Sequence, residues 1–345
     1  MIKNKMKKIA LVTGSSGQDG SYLCEFLLKK NYKVVAADRR SSRDNGWRHK
    51  ELGISNKIIY EDFDLTDINS IILLLKKYKF NEIYNLAAQS FVKSSFTTPI
   101  STSNVTGLGP LRILDTLKHV SPKTKFYQAS SSEMYGKVKT EVLDEKSRFN
   151  PRSPYAVSKL FGHEITNNYR ESNGMFCCSG ILFNHESPLR GEEFVTRKIT
   201  KQLCEVKLGI RKHVELGNIY AKRDWGYAKD YVEGMWMMLQ QKKPDDYVLA
   251  TSKVYTVKYF INECFKALNM KAVWKGKGVK EVAIDSETKK IIIKINPKYY
   301  RPAEVDYLKG SFKKAKTTLN WSPKVNLKEL IKLMIEADYN RLNKI

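Results

Sequence analysis

Two residues of this 345-residue sequence, Tyr155 and Lys159, have the types and the spacing of an acid–base pair. Residues four positions apart share one face of a helix, and a lysine ammonium beside a phenol lowers the pKa of that phenol. The pair therefore predicts a tyrosinate that acts as a base near neutral pH. The same spacing also occurs on ordinary surface helices, so the neighbouring elements must decide between the two interpretations.

A short apolar strand at residues 125–129 precedes this pair and ends in hydroxyl side chains. Ser131 and Glu133 follow the strand directly. An enzyme that only interconverts an alcohol and a ketone needs a serine or threonine, a tyrosine and a lysine. Glu133 is therefore an additional proton carrier, which suits an elimination next to a carbonyl group. The alternative for Glu133 is a loop carboxylate or a helix N-cap.

Three glycines, Gly14, Gly17 and Gly20, lie between a predicted strand and a predicted helix. In this setting the first glycine permits a tight turn and the second lets backbone N–H groups approach a pyrophosphate. The third allows the helix to pack closely on the strand. Gln18 and Asp19 belong to the same turn. The arrangement predicts a dinucleotide-binding site, with a turn-rich loop as the alternative.

The second predicted strand ends at Asp38 and is followed by Arg39, Arg40, Ser41 and Ser42. An acid at this position normally accepts hydrogen bonds from the ribose 2′-OH of NAD, whereas arginines normally pair with the 2′-phosphate of NADP. Because both are present, these residues leave NAD and NADP open. A solvated loop is the alternative interpretation of the arginines.

Two further strand ends should reach the same cofactor. Asp64 and Leu65 close the third predicted strand, where an adenine can be held. The fourth predicted strand ends where the nicotinamide half should run, and it is followed by Ala87, Ala88, Gln89 and Ser90.

Strands and helices alternate over the first half of the chain, which argues for a parallel sheet covered on both faces. The predicted fold class is α/β, with a Rossmann-type doubly wound parallel sheet and a smaller, mixed α/β substrate-binding lobe. We predict a dinucleotide-binding domain at 1–183 and a second lobe at 184–345, with a segment at about 218–251 returning to the first domain. Residues 291–295 are predicted to form an isolated strand.

Charge and cysteine content restrict the function further. Sixty-one Lys+Arg against 36 Asp+Glu give a net charge of +25, but the lysines are spread along the chain, which suits an anionic small molecule better than a nucleic acid. No apolar run approaches the ~20 residues of a membrane span. The five cysteines show no CxxC pair or zinc-ligand spacing. We expect a cytoplasmic protein without a metal, membrane or nucleic-acid partner.

Longer blocks of sequence surround these residues. They are Thr13-Gly-Ser-Ser-Gly-Gln-Asp-Gly20, Arg39-Arg-Ser-Ser42, Tyr127-Gln-Ala-Ser-Ser-Ser-Glu133, Pro151-Arg-Ser-Pro-Tyr155, Asn184-His-Glu-Ser-Pro188, Phe194-Val-Thr-Arg-Lys198, Ala221-Lys-Arg-Asp-Trp-Gly226, Lys229-Asp-Tyr231 and Tyr299-Tyr-Arg-Pro302. Together they resemble the GDP-mannose 4,6-dehydratase family of the extended short-chain dehydrogenase/reductases. The resemblance runs from about residue 8 to the C-terminus.

The resemblance implies a role for each matching position. The implied catalytic group is Ser131, Glu133, Tyr155 and Lys159. The implied cofactor contacts are Gly14 to Asp19, Arg39 to Ser42, Asp64, Leu65, Leu86, Ala87, Ala88, Gln89, Ser90, Lys159, His185 and Arg190. The implied GDP-sugar contacts are Ser90, Asn184, Val195, Lys198, Arg223 and Arg301.

The resemblance also implies a closed redox cycle. C4 of the sugar is oxidised, water leaves across C5 and C6, and the same hydride returns to C6 to give a 4-keto-6-deoxy GDP-sugar. The implied cofactor is NADP, while Asp38 leaves NAD open. The implied partners are a GDP-sugar and further copies of the chain, in a dimer or a tetramer.

Some positions depart from the family pattern. Phe91 stands where the family usually has histidine, and Ser101 where it usually has tyrosine; Ser131 replaces threonine, and Asp38 an apolar residue. Phe91 and Ser101 leave the sugar open between GDP-mannose and GDP-D-glycero-D-manno-heptose. The alternative enzyme is a GDP-sugar 4-reductase or epimerase, which can dispense with Glu133. A binding protein on a degenerate dinucleotide fold is disfavoured because the glycine turn and the tyrosine–lysine pair are intact.

Overall fold

The computed structural model describes residues 7–42, 44–138, 141–300, 305 and 307–343. Within them, the strands are β1 (Ile9–Thr13), β2 (Lys33–Asp38), β3 (Ile59–Asp62), β4 (Glu82–Asn85), β5 (Lys125–Ser131), β6 (Cys177–Leu182), β7 (Asn184–Glu186), β8 (Val214–Leu216), β9 (Lys222–Arg223), β10 (Trp225–Tyr227), β11 (Tyr247–Leu249), β12 (Tyr255–Thr256), β13 (Ala272–Lys275), β14 (Val282–Asp285), β15 (Ile291–Ile295) and β16 (Tyr307–Leu308). The α-helices are α1 (Gln18–Lys29), α2 (Trp47–Glu51), α3 (Ile68–Lys77), α4 (Val92–Thr97), α5 (Pro99–Thr102), α6 (Leu108–Val120), α7 (Pro154–Asn173), α8 (Val195–Lys207), α9 (Ala228–Leu239), α10 (Val257–Ala267) and α11 (Leu327–Leu342).

A seven-stranded sheet in the order β11-β6-β5-β4-β1-β2-β3 contains the first six strands of the chain together with β11. Every neighbouring pair in it is parallel. The strand order reverses between β1 and β4, and ligands of such sheets bind beyond the carboxyl ends of the strands at this reversal. The predicted Rossmann-type doubly wound sheet is confirmed.

The sheet is buried on both faces because its strands are almost continuously apolar. One face packs on α1 and α9, where Leu23, Leu27 and Met235 are fully buried. The other face packs on α3 and α6, where Ile71 and Leu114 are fully buried. Helices on both faces hold the strand ends, and therefore the loops that follow them, in fixed positions.

Helix α7 begins and ends at residues suited to those positions. Ser153 caps the N-terminus of α7 by accepting a hydrogen bond from the Ala156 N–H, and Pro154 occupies the first turn. The helix ends at Gly174, whose φ of +63° favours glycine. Because both ends are defined, the face of α7 that carries Tyr155 is fixed relative to the sheet.

A second lobe has its own core between a four-stranded sheet and α8, α10 and α11. The prediction of an isolated strand at residues 291–295 is wrong. This segment is β15, which pairs antiparallel with β14 and parallel with β8. Its apolar residues Ile292 and Ile293 are buried in the second core, which explains the uninterrupted apolar run.

The chain passes between the two parts after β8. Helix α9 packs against the first sheet, and β11 joins its edge beside β6. The boundary between 183 and 184, and the return at about 218–251, stay predictions. Among the described helices, none combines the length and the apolar character that a bilayer crossing requires.

Candidate active site

Helix α7 places Tyr155 and Lys159 on one face, directed at the carboxyl end of β5. Both side chains are buried, and Tyr155 is 8% exposed. Lys159 Nζ donates a 2.8 Å hydrogen bond to the Ala129 carbonyl of β5 and lies 5.9 Å from the centroid of the Tyr155 ring. The lysine ammonium is thereby fixed beside the phenol.

Burial dominates the electrostatics of Tyr155. It raises the pKa of the phenol to about 12, although a hydrogen bond with Ser131 and the charge of Arg190 oppose the shift. The expectation of a lowered phenol pKa is therefore wrong for the structure as it stands, because loss of solvent outweighs the nearby positive charge. The same hydrogen bond brings Ser131 and Tyr155 together.

Glu133 lies beside these two residues in the turn that follows β5. Its backbone N–H donates a 3.2 Å hydrogen bond to Ser131 Oγ, and its charge is one of the influences that raise the pKa of Tyr155. The side chain is partly exposed. Thus a hydroxyl, a phenol, a carboxylate and an ammonium meet at the end of β5, which is a set suited to moving two protons.

The ammonium of Lys159 is buried at a cost. Burial lowers its pKa from 10.5 to about 8, while the charge of Asp19 opposes the shift. A lysine that is retained in such surroundings destabilises the fold at neutral pH, which is common for groups that serve chemistry.

Replacing Lys159 by methionine should stabilise the protein. Avoiding ammonium burial contributes about 3 kcal/mol, and losing the hydrogen bond to Ala129 offsets about 1 kcal/mol, so the net gain at pH 7 is about 2 kcal/mol. The gain in the free energy of unfolding is full below the native pKa of about 8. It fades between pH 8 and 10.5, because in this range only the unfolded state binds the proton. Urea unfolding of both proteins at pH 7 and 10 measures this; an unchanged or lower stability at pH 7 contradicts it.

The glycine turn follows β1 at the reversal of strand order. Gly14 has φ +67°, and a Cβ there would lie 2.8 Å from the Ala87 backbone nitrogen. A Cβ on Gly20 would lie 2.3 Å from the Gly14 carbonyl oxygen. Gly17 is the N-cap of α1, and no side chain caps this helix. The first-turn N–H groups are thus open to an anion, which fits a pyrophosphate.

Asp19 and His185 form a partly buried ion pair between the first turn of α1 and β7. His185 Nε2 lies 2.7 Å from Asp19 Oδ2, and the imidazole stacks on Tyr231 at 4.6 Å. Burial opposes both charges, but their mutual attraction lowers the pKa of Asp19 and raises that of His185. Gln18 joins the pair by donating to Asp19 and to the His185 carbonyl. Arg190 lies near enough to lower the pKa of Asp19 further.

At the end of β2, Asp38 is directed back onto the glycine turn. Its Oδ2 accepts hydrogen bonds from the Ser15 hydroxyl and, at 3.0 Å, from the Ser16 N–H. Burial raises the pKa of Asp38. Arg39 and Arg40 follow on the exposed surface, and Arg39 lines a cavity of about 560 Å³ beside β3. Ser41 and Ser42 continue this exposed end.

The loops after β3 and β4 lie at the same edge of the sheet as the glycine turn. Asp64 accepts hydrogen bonds from the backbone and hydroxyl of Thr66, and Leu65 is buried. The Gln89 backbone N–H donates to Thr106 Oγ1 at 3.1 Å. The predicted residues between β4 and α4 are partly buried or exposed at this edge; they are Leu86, Ala87, Ala88, Gln89 and Ser90.

The predicted GDP-sugar contacts extend towards the second lobe. Asn184 begins β7, and its Oδ1 is buried without accepting a hydrogen bond from the described residues. This oxygen can therefore accept a hydrogen bond from a bound ligand. Val195 begins α8 and is 37% exposed. Arg223 is buried in β9 and donates to the Lys222 carbonyl. Arg301 lies outside the described residues.

Lys198 reaches a cavity of about 240 Å³ between α8 and β8. Its Nζ lies 3.6 Å from the centroid of the Tyr299 ring, and burial lowers its pKa. Arg211 and Lys212 line the same cavity. The cavity therefore offers an aromatic surface, which suits a nucleotide base, and positive charge, which suits a phosphate.

Sequence reasoning missed the aromatic partners of the predicted cations. The Arg190 guanidinium lies 3.6 Å from the centroid of Phe194, which contacts Phe91 edge to face at 5.9 Å. Phe194 and Tyr299 both stand in the sequence blocks that carry the family resemblance, and this was the available signal for them.

Comparison with known proteins places these features in one family. The family described as GDP-mannose 4,6 dehydratase matches residues 11–334. The chain is 48% identical to the GDP-mannose 4,6 dehydratase of Drosophila melanogaster, covering 98% of this chain and 87% of the relative. It is 46% identical to that of Homo sapiens, covering 97% and 92%.

Solved structures at lower identity share the fold. The dTDP-glucose 4,6-dehydratase of Bacillus anthracis, in complex with NAD, superimposes with a TM-score of 0.80 at 18% identity, covering 98% of both chains. The protein RMD of Pseudomonas aeruginosa, in complex with NADPH, gives 0.76 at 20% identity, covering 97% of this chain and 100% of the other. Across such identities the likeness concerns the fold alone.

Proposed function

The chain belongs to the GDP-mannose 4,6-dehydratase family, and on this premise we propose that it is a GDP-manno-sugar 4,6-dehydratase. It converts its substrate into the 4-keto-6-deoxy GDP-sugar with loss of one water. The observation that carries the proposal is the position of Glu133 beside Ser131 and Tyr155. A carboxylate at this point supplies the second proton transfer that a dehydration needs.

The residues of the chain perform the proton transfers. Tyr155 takes the proton of the C4 hydroxyl, and the cations of Lys159 and Arg190 favour the phenolate that must form. The C4 ketone acidifies C5, whose proton Glu133 removes. The leaving hydroxide at C6 accepts a proton from Glu133, assisted by Ser131, and departs as water. C5 then takes up a proton from solvent, and Tyr155 releases the proton of the C4 hydroxyl to solvent, so that both groups return to their starting states.

The residues present fit a nicotinamide dinucleotide. The open N–H groups of α1 would hold the pyrophosphate. The partly buried Asp19–His185 pair and Lys159 would border the nicotinamide end. When bound, the nicotinamide supplies hydride acceptance at C4 and hydride return at C6, so the cofactor is not consumed.

A labelled substrate separates this function from a reductase or epimerase. With GDP-mannose deuterated at C4, the dehydratase should deliver the deuterium to C6 of a product that has lost water, even without a supply of reduced cofactor. Nuclear magnetic resonance of the product locates the label. Deuterium that remains at C4 with no loss of water would favour the epimerase.

The surroundings of Asp38 support NADP rather than NAD. Its Oδ2 is already engaged by Ser15 and Ser16, so the carboxylate serves the glycine turn. Arg39 and Arg40 then provide exposed positive charge at the end of β2, where a 2′-phosphate would lie.

Replacing Arg39 and Arg40 by alanine should weaken NADPH binding by about 10- to 100-fold, because charge-assisted hydrogen bonds are lost. NADH binding should stay almost unchanged. Fluorescence titration measures both constants, with Lys33→Ala at the opposite, exposed end of β2 as the matched control. Equal losses for NADPH and NADH would mean that the arginines do not bind the 2′-phosphate.

Two aromatic residues bear on the sugar that the site accepts. Phe91 and Phe194 form an aromatic wall near Arg190, where the family usually has a histidine at the first position. An apolar wall removes one hydrogen-bonding partner from the hexose site. GDP-mannose and GDP-D-glycero-D-manno-heptose therefore both remain candidate substrates.

An exposed apolar face on α6 and α7 supports a homo-oligomer. Leu108, Val157 and Phe161 are 40%, 55% and 42% exposed on these neighbouring helices, and such patches mark interfaces. Phe161→Asp should dissociate the assembly in sedimentation velocity experiments. Ile210→Asp, at an exposed residue of the second lobe, is the control. A Phe161→Asp protein that sediments as the wild type contradicts this interface.

A further inference from the structure

Three successive backbone carbonyls, those of Pro188, Leu189 and Arg190, accept hydrogen bonds from two arginines. Arg197 Nη1 donates to Pro188 at 2.7 Å and to Arg190 at 2.9 Å. Arg48 Nε donates to Leu189 at 2.7 Å. We call Arg48 and Arg197 the arginine clamp. A segment with three consecutive carbonyls bound in this way has little freedom to move.

The clamp also reaches the glycine turn. Arg48 Nη1 donates a 2.9 Å hydrogen bond to the Ser16 carbonyl. Arg48 therefore joins the turn after β1 to the segment after β7, which are separate in sequence. The two sides of the proposed cofactor site are held at a fixed separation by one side chain.

Helix α11 anchors the clamp from the second lobe. Asp338 Oδ1 lies 2.7 Å from Arg197 Nε, with both side chains at most 4% exposed. Asp338 also accepts hydrogen bonds from Thr200 and, at 3.1 Å, from Arg341. Arg341 Nε in turn donates a 3.0 Å hydrogen bond to Glu51 Oε2 of α2. A buried guanidinium left without its carboxylate would be strongly unfavourable, so Asp338 determines where Arg197 sits.

The aromatic ring of Trp47 links the two ends of this network. Arg48 lies 4.4 Å and Arg341 lies 5.7 Å from the ring centroid. The ring thus contacts both the clamp and α11. Contacts of this kind favour one position of the guanidinium over others.

The clamped segment carries Arg190. Its guanidinium lies over Phe194 at 3.6 Å, and its Nε lies 3.1 Å from Glu186. From this position its charge lowers the pKa of Asp19 and opposes the rise in the pKa of Tyr155. A displaced backbone at Arg190 would move this charge away from the proposed cofactor site.

We propose that Asp338 and Arg341 are positioning residues, which act through the arginine clamp to hold Arg190 and the glycine turn in the geometry that binds the nicotinamide cofactor. The inference rests on the proposed function. It connects a helix of the second lobe, remote from the reacting groups, to cofactor affinity. Neither residue touches the proposed substrate or cofactor sites directly.

The test separates cofactor affinity from GDP affinity. Asp338→Asn removes the charge that anchors Arg197, and the dissociation constant of NADPH, measured by fluorescence titration, should rise about tenfold or more, as small misplacements of binding groups do. The affinity for GDP, measured by calorimetry, should change less than about twofold. Asp338→Glu should restore most of the NADPH affinity.

A matched control lies on the same helix. Glu336 forms an exposed ion pair with Lys332 at 3.8 Å, and Glu336→Gln should leave both affinities unchanged. Arg341→Gln, which breaks the link at a partly exposed residue, should weaken NADPH binding in the same direction, and it decides the question if Asp338→Asn fails to fold.

Wild-type NADPH affinity in both Asp338→Asn and Arg341→Gln would overturn the inference. An equal loss of NADPH and GDP affinity would also overturn it, because a general loosening of the two lobes would then explain the weaker binding. A wild-type protein that binds neither NADPH nor NADH would contradict the proposed function itself, which is a distinct result.

Discussion

Replacing Tyr155 by phenylalanine should lower turnover by about 10²- to 10⁴-fold, the range for loss of a positioned general base. The ring remains, so the packing of this buried side chain is conserved and only the hydroxyl and its hydrogen bond with Ser131 are lost. The free energy of unfolding should fall by about 1 kcal/mol, because this hydrogen bond is lost. The dissociation constant of NADPH should change less than about twofold, because the hydroxyl that is lost is not among the proposed phosphate or ribose contacts.

The control for this variant is available on the same helix. Tyr169 is also 8% exposed and donates a 2.9 Å hydrogen bond to Asp115, remote from the end of β5. Tyr169→Phe should cost similar stability and leave turnover unchanged. Steady-state kinetics and urea unfolding of the two variants give the comparison. Normal turnover by Tyr155→Phe would exclude the phenol as the base.

Replacing Glu133 by glutamine should stop the reaction after C4 oxidation. The amide keeps the size of the side chain but cannot remove the C5 proton, so overall turnover should fall by about 10²- to 10⁴-fold. Reduced nicotinamide should then accumulate in a single turnover, visible in its near-ultraviolet absorbance. In deuterated water the wild-type product should carry solvent deuterium at C5.

Glu171→Gln, an exposed carboxylate on α7, is the control and should turn over normally without accumulation. The distinctive result is the separation of two steps, since a damaged fold would lose hydride transfer as well. Complete turnover by Glu133→Gln, with deuterium still entering C5, would assign the proton transfer to another group.

Most of the fold could be predicted from the spacing of residue types within short stretches of the sequence. The glycine turn and the alternation of strands and helices define the Rossmann-type sheet, because each unit is short and its pattern lies within one stretch of chain. The family, predicted from blocks such as Phe194 to Lys198, is confirmed by the comparisons. The roles assigned to individual site residues stay predictions.

Contacts between distant residues could not be predicted in the same way. The parallel pairing of β15 with β8 could not be predicted because β8 lies far upstream in the sequence. Asp38 matched a ribose acceptor by position, and nothing in the pattern indicated that its carboxylate turns back to Ser15. The ion pair of Arg197 with Asp338 joins helices that are remote in sequence.

The electrostatics of the site depend on burial, which spacing does not encode. Tyr155 and Lys159 have the expected separation, yet the pKa of the phenol is raised to about 12 and that of the ammonium is lowered to about 8. Both shifts are caused chiefly by loss of solvent. Only a structure gives the depth at which the pair lies.

Mass spectrometry of the products from GDP-mannose and from GDP-D-glycero-D-manno-heptose, with the purified protein and NADP supplied, tests the central claim most directly. The account predicts that at least one of the two substrates loses the mass of one water, and the faster substrate identifies the sugar that the wall of Phe91 and Phe194 accepts. If neither substrate loses water, with NADP or with NAD, the chain is not a GDP-manno-sugar 4,6-dehydratase.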